Sequence, residues 1–253
     1  MDGSWRLDFR RPPADSRVVN LHDLALAQGL RRTRATLGEW RADSWSIVPV
    51  WVGWSALIAA GLLTAVWLVA RGVAPDASLL PDPGGEARGG AGEVGRVLAL
   101  NALVLALHAM ACVAGFIAGY AVPGAAELRS GWSRWVHEQA ARLAIAFVAC
   151  ATLFSLATQA LALGLGTSAL AAQLGTTPGW LLLALLPHAA PELCALFLPL
   201  AAWVIAARRG AWHQLLAATM LTVAIAVPVL VGAALVEVYV TPPLVDALFA
   251  PRS

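Results

Sequence analysis

The 253-residue sequence contains no lysine and little charge of any kind: aspartate, glutamate and arginine together make up 13% of it, against about 25% in an ordinary soluble domain. All 17 basic residues are therefore arginine, which reads as a bias toward GC-rich codons rather than as chemistry. Hydrophobic residues reach 59%, so a soluble globule of this composition could not clothe its surface in polar groups. That excludes a soluble enzyme and a disordered chain. Cysteine is also scarce. Cys112, Cys150 and Cys194 are odd in number, form no CxxC and fall inside apolar runs, which removes a disulfide-rich module and a zinc finger and leaves them as buried small hydrophobes. There is no HExxH, no GxSxG and no pair of intramembrane aspartates, so no hydrolytic signature is present. No P-loop or dinucleotide fingerprint occurs either. No cofactor is indicated, and an ATP-driven process would need another subunit. The first apolar run starts past residue 40 and exceeds signal length, so no cleavable signal peptide is expected.

What is present is a set of long charge-free stretches. No Asp, Glu or Arg occurs across 44–70, 97–126, 143–191 or 210–236, and a shorter gap covers 193–207. A spanning helix needs about 20 mostly apolar residues, because at ~1.5 Å per residue these cross a hydrocarbon core of ~30 Å. Three of the gaps fit one helix each, at 46–70, 97–120 and 214–239. The 143–191 gap is too long for one crossing. Gly164-Leu165-Gly166 and Gly175-Thr176-Thr177-Pro178-Gly179 are both turn signals, so the reading places helices at 141–163 and 180–207. The expected fold is all-α: a polytopic transmembrane bundle of about five spans over 46–240, preceded by an N-terminal segment (1–45) and followed by a short tail (241–253).

Arginine counts in the short loops set the orientation. Eight Arg lie in the first 41 residues, beside five carboxylates. Because a bilayer segment follows directly, membrane anchoring explains them better than nucleic-acid binding. The 71–96 loop carries three Arg against four acids and reads as external, whereas Arg129, Arg134 and Arg142 make 121–142 internal, and Arg208-Arg209 close the fourth span inside. This predicts a cytoplasmic N-terminus and an external C-terminus. Asn20 with Asp23 resembles a helix N-cap and its first-turn acid. Leu26, Leu30, Thr33, Leu37 and Trp40 then recur at helical spacing, with arginines on the other faces. This is an amphipathic helix that either lies on an anionic leaflet before the chain turns into the first span or packs on the cytoplasmic base of the bundle. A second, shorter interfacial helix is expected in the 125–140 loop around Trp132, Arg134 and Trp135. The 71–96 loop, rich in Gly and Pro, reads as flexible.

Ionisable groups inside a span cost roughly 2.5–3.5 kcal/mol on insertion scales, so each needs a reason. His188 and Glu192 stand four apart on the fourth span and share a face. Pro187 and Pro191 bracket them, each removing an N–H, so the helix should kink or break there. His108 is mid-span on the second helix. It and Glu192 are each about eleven or twelve residues from the external ends, or ~17 Å at helical rise, so the two can meet. Glu237 is shallower, near the external end of the fifth span. Such a polar centre can relay protons, bind a cation or receive a polar substrate, or it can be an interhelical hydrogen bond that fixes register. For His108 alone, packing is the simpler reading. His188 and Glu192 supply two metal ligands and a third is not assured, so no metal is assigned. Gly115-x3-Gly119 is a small-residue motif for close helix packing. Asn101 can bond a neighbouring span, and Pro228 should kink the fifth helix.

The segment Leu186-Pro187-His188-Ala189-Ala190-Pro191-Glu192-Leu193 resembles the "proline-histidine-glycine, two residues, glutamate-leucine" signature of the stage II sporulation protein M family. Val236-Glu237-Val238-Tyr239-Val240-Thr241-Pro242 resembles that family's closing "glutamate, aromatic, valine, threonine, proline" segment, and Asn101 its asparagine-led second span. The similarity is clearest over 180–243 and weaker over 97–120. Ala189 stands where the family has glycine, and Pro191 is additional. The resemblance implies an integral protein of the bacterial cytoplasmic membrane. In spore formers, such proteins anchor and localise a peptidoglycan-degrading complex without being the hydrolase. His188, Glu192 and Glu237 are the positions it marks as important, with no catalytic role attached. The first functional expectation is a non-enzymatic scaffold that organises envelope or membrane-remodelling proteins, with a homodimer as one arrangement. The alternative is a transport permease working through the His188/Glu192 centre, with an intramembrane hydrolase remote.

Overall fold

The computed structural model describes residues 21–76, 90–122 and 131–249. They form helices α1 (Leu21–Gly72), α2 (Ala91–Phe116, prolonged by a π turn over Ile117–Ala121), α3 (Trp132–Gln173), α4 (Pro178–Arg209), α5 (Leu215–Tyr239) and α6 (Thr241–Phe249). No strand occurs among the described residues. Five segments are long and apolar enough to cross a membrane: Ile47–Gly72, Ala91–Tyr120, Arg142–Gln173, Pro178–Arg209 and Trp212–Tyr239. The chain is an all-α, multi-pass membrane protein. A bilayer offers the backbone no hydrogen-bond partner, so helices, which satisfy their amides internally, are the form these runs must take. Hydroxyls inside the spans follow the same rule: Thr64, Thr152 and Thr219 each donate to the carbonyl four residues back, at 2.7–2.8 Å.

α4 is the axis of the bundle. It packs against α1, α2 and α5, and it is the most deeply enclosed of the spans. Phe197 and Leu200 meet Ala59, Leu62 and Val66 of α1, while Leu196, Leu198 and Ala202 meet Ala217, Ala218 and Ala226 of α5. α3 leans on α1 and presents Leu143, Phe147, Leu153 and Phe154 outward. Gly175 (φ 63°) and Gly210 (φ 66°) turn the chain between α3 and α4 and between α4 and α5. In both, the left-handed backbone favours a residue without Cβ.

Several expectations are corrected. Gly164-Leu165-Gly166 is not a turn, because α3 runs through it to Gln173. A Cβ on Gly164 would stand 2.6 Å from Val69 Cβ and 3.1 Å from the Val66 carbonyl, so this glycine is the point where α3 touches α1. α4 is not broken at Pro187 or Pro191: it passes these and Pro199 as one helix, and α5 passes Pro228 likewise. The part of the expected interfacial helix that is described, from Trp132 onward, forms the first turns of α3 rather than a separate element. Cys150 lies on the outward face of α3, exposed rather than buried.

Over 33–40 the N-terminal helix packs on the bundle rather than standing apart from it. It continues through Pro49 into the first span as α1. Thr33, Thr36 and Trp40 are buried, and the Trp40 ring meets Trp51 edge-on at 5.5 Å. Eleven residues of straight helix rise ~16 Å, so α1 must bend between these two rings. The bend folds Trp40 against Ile47, Ala202 and Ala218 at the Arg208–Arg209 end of the bundle. This is the packed-base alternative. The cap at Asn20 lies outside the described residues, as does most of the 71–96 loop, of which Ala91–Arg96 already belong to α2. The tail is a helix (α6) seated on α4 and α5, with 250–253 outside the described residues.

Candidate functional site

The site grows from a stagger between helices. Thr177 caps α4, its Oγ1 accepting from the Trp180 amide at 3.4 Å, with Pro178 at the first helical position where a missing N–H costs nothing. Glu192 follows fourteen residues later, ~21 Å along the axis. Glu237, by contrast, is two residues from the end of α5. The two carboxylates nevertheless meet, so α4 projects well past the end of α5, and α6 fills the step. Leu244, Leu248 and Phe249 of α6 line a cleft with Trp180, Leu183 and Ala184 of α4.

Beneath this cap, His188, Glu192 and Glu237 come together. Each offers one donor atom, and the three atoms lie within 4.8 Å of one another. His188 is buried, and the two glutamates are half-buried. Thr241, the first residue of α6, fixes the imidazole. Its Oγ1 is 2.9 Å from His188 Nδ1 and donates to the Val236 carbonyl at 3.2 Å. A hydroxyl has one proton to give. With that proton on Val236, Thr241 accepts from His188 Nδ1–H, and the Nε2 lone pair is left free.

Asn101 of α2 closes another side. It is 7% exposed and faces Glu192, yet its Nδ2 has no hydrogen-bond partner among the described residues. The amide lies close to the carboxylate but outside bonding geometry. One turn nearer the start of α2, Arg96 is within electrostatic reach of Glu237. Its guanidinium is bound in a two-point pair to Glu93, at 2.5 and 3.1 Å.

His108 does not join this centre. It is buried deeper in the bundle, with Nδ1 2.9 Å from the Leu196 carbonyl and its ring 5.4 Å from Phe197. It belongs to a second polar group around Pro199. A proline leaves the carbonyl four residues back without its amide and pushes the preceding turn aside. In that turn Ser55 Oγ donates to the Cys194 carbonyl and His108 engages Leu196, while Cys112 Sγ donates to the Pro199 carbonyl at 3.0 Å. Side chains from α1 and α2 thus meet carbonyls on α4 that flank Ala195, the residue whose carbonyl Pro199 leaves without an amide.

Gly115 and Gly119 serve packing, but their partners are indole rings rather than a helix backbone. A Cβ on Gly115 would lie 2.6 Å from Trp203 Nε1, and one on Gly119 would lie 2.3 Å from the Trp212 ring. Sequence reasoning did not single out Thr241 as a site residue. Thr-Pro-Pro at 241–243 is a helix-start signal, which would have turned the tail into a helix and directed its first side chain at the bundle. Comparison with family models, with curated proteins and with solved structures returned no match.

Proposed function

We propose that this membrane protein is a non-enzymatic scaffold for cell-envelope or membrane-remodelling proteins in the bacterial cytoplasmic membrane, a member by resemblance of the stage II sporulation protein M family. The observation that carries this reading is the gap between α2 and α3. There a groove of about 400 Å³ runs along Val104, His108 and Ala111 on one wall and Phe147, Ser155 and Gln159 on the other. Gln159 Nε2 donates to Ser155 Oγ at 3.1 Å; acyl chains offer nothing to the rest of this polar pair, whereas a neighbouring span carrying a small polar residue can hydrogen-bond it for about 0.6–2 kcal/mol. The reading takes the groove's occupant to be a transmembrane helix of a partner. The arginine-rich end, with Arg208 and Arg209, faces the cytoplasm on this reading, because arginines concentrate on that side.

A photo-crosslinker at Ala151 in native membranes tests it. A discrete protein adduct that is lost in the Ser155→Ala/Gln159→Leu double variant supports the scaffold, and an adduct of twice the chain's mass makes the partner a second copy. Adducts to lipid alone refute it. The buried His188–Glu192–Glu237 cluster favours a second reading, a permease. If purified wild type drives proton or cation flux in proteoliposomes and Glu192→Gln abolishes it while assembly survives, the permease replaces the scaffold.

A further inference from the structure

We propose that His188, Glu192 and Glu237 form a binding site for a divalent transition-metal ion of the zinc class, placed where α4, α5 and α6 meet. One imidazole and two carboxylates are a donor set such ions take, and their donor atoms already lie within 4.8 Å of one another. A tetrahedral ion held at ~2.1 Å sets its donors ~3.4 Å apart. Side-chain rotation of about an ångström closes that difference without moving a helix.

Charge argues the same way. Two carboxylates facing each other in a low-dielectric interior repel strongly, and a dication cancels both. Arg96 acts on Glu237, but Glu93, which holds its guanidinium at two points, acts on the same carboxylate with the opposite sign, so the pair leaves most of the repulsion in place. The second coordination shell is also in place. Ligating histidines typically give their other ring N–H to an acceptor, which fixes the tautomer. Here Thr241 accepts from His188 Nδ1 and passes its own proton to the Val236 carbonyl, leaving Nε2 with the lone pair a metal needs.

Asn101 is the independent sign. A buried amide that stands against Glu192 yet whose Nδ2 makes no bond of full geometry among the described residues is one that an ion or its bound water at this cluster would satisfy. Since amide oxygen and nitrogen exchange places by a flip, Asn101 can offer either an acceptor to the ion or a donor to its water. With α6 seated over the cluster, the ion would tie the last helix to α4 and α5. This role does not depend on what the α2–α3 groove holds.

The test uses full-length protein purified in detergent, stripped with a chelator and titrated with Zn²⁺ against a chromogenic competitor. One saturable equivalent per chain is expected. Affinity should fall at least ~100-fold in His188→Ala and in Glu237→Gln, and ~10-fold in Thr241→Val, the size of effect seen when an outer-shell partner is lost. Co²⁺ added to His188→Cys should give a thiolate charge-transfer band that the wild type, despite its three cysteines, does not show. Absence of a saturable equivalent in the wild type overturns the proposal even if no variant folds. Equal binding by the wild type and both ligand variants overturns it too, by assigning the metal elsewhere on the chain.

Discussion

Two alanine substitutions two residues apart should move stability in opposite directions. Gly166 sits inside α3, two turns from its end, with no atom within 4 Å of where a Cβ would stand. Gly166→Ala therefore adds no clash and removes the flexibility penalty of a helical glycine, a gain of about 0.5–1 kcal/mol. Gly164→Ala receives the same helix gain, but its new methyl would sit 2.6 Å from Val69 Cβ and Cγ1 and 3.1 Å from the Val66 carbonyl. Val69 Cβ is anchored to the α1 backbone and cannot swing away, so α1 and α3 must separate. Overpacking of this kind costs about 1–3 kcal/mol, and subtracting the helix gain of about 0.5–1 kcal/mol leaves a net loss of about 1 kcal/mol at the middle of both ranges. Reversible unfolding of the purified protein in mixed micelles, followed by tryptophan emission and far-UV circular dichroism, reads both. At about 2–4 °C per kcal/mol for a chain of this size, the two melting temperatures should lie on opposite sides of the wild type. If both alanines destabilise equally, Gly164-Leu165-Gly166 is a turn that needs its glycines, and the continuous α3 is wrong. If Gly164→Ala is neutral, α1 and α3 do not touch there.

Thr241→Val removes the acceptor of a buried imidazole N–H, and leaving such a donor unpaired costs about 1–3 kcal/mol; the same unfolding assay should show that loss, with Thr241→Ser close to wild type. Gly119→Leu would drive a side chain into the space of the Trp212 ring, which lies 2.3 Å from the Cβ position. The indole must leave its slot, so tryptophan emission should change and the loop between α4 and α5 should become sensitive to protease, whereas Gly92→Leu, in open surroundings, should do neither.

The spans were legible because their signal is an absence. An unpaired charge is expensive in lipid, so charge-free runs of sufficient length mark the crossings, closely at 214–239 against Trp212–Tyr239, whereas the third, expected at 141–163, runs on to Gln173. What misled was the meaning of glycine and proline. In water both punctuate structure, but in a bilayer the backbone has no alternative to the helix, and α3 continues through Gly164 while α4 continues through three prolines. The side chains that bond the α4 backbone beside Pro199 are far away in sequence: Ser55 is 139 positions from Cys194, and His108 is 88 from Leu196. No local pattern reports such pairings. The candidate site was half legible for the same reason. His188 and Glu192 share a face by spacing alone, but Glu237 joins them only because α5 stops far short of α4, and His108, level with Glu192 by counting residues, is drawn instead to a carbonyl near Pro199. Depth along a helix fixes one coordinate, and the angular position that decides partners comes from packing.

The two polar groups on α4 divide its work. Around Pro199 the contacts run from side chains of α1 and α2 to backbone carbonyls of α4. Those acceptors cannot be mutated away, so they set the register of α1 and α2 whatever the neighbouring side chains become. Around Glu192 the contacts run between side chains, and they involve the ends of α5 and α6 rather than their middles. Changes there alter local chemistry and the seating of a nine-residue helix without touching the long apolar surfaces that hold α4 to α1 and α5. A bundle built this way separates the contacts that hold the long helices from the side-chain cluster at their ends. It follows that isosteric replacements at His188, Glu192 or Glu237 should yield assembled protein with altered ligand behaviour. Loss of the Ser55 and His108 donors together should instead loosen α1 and α2 from α4 and leave the distant cluster as it is.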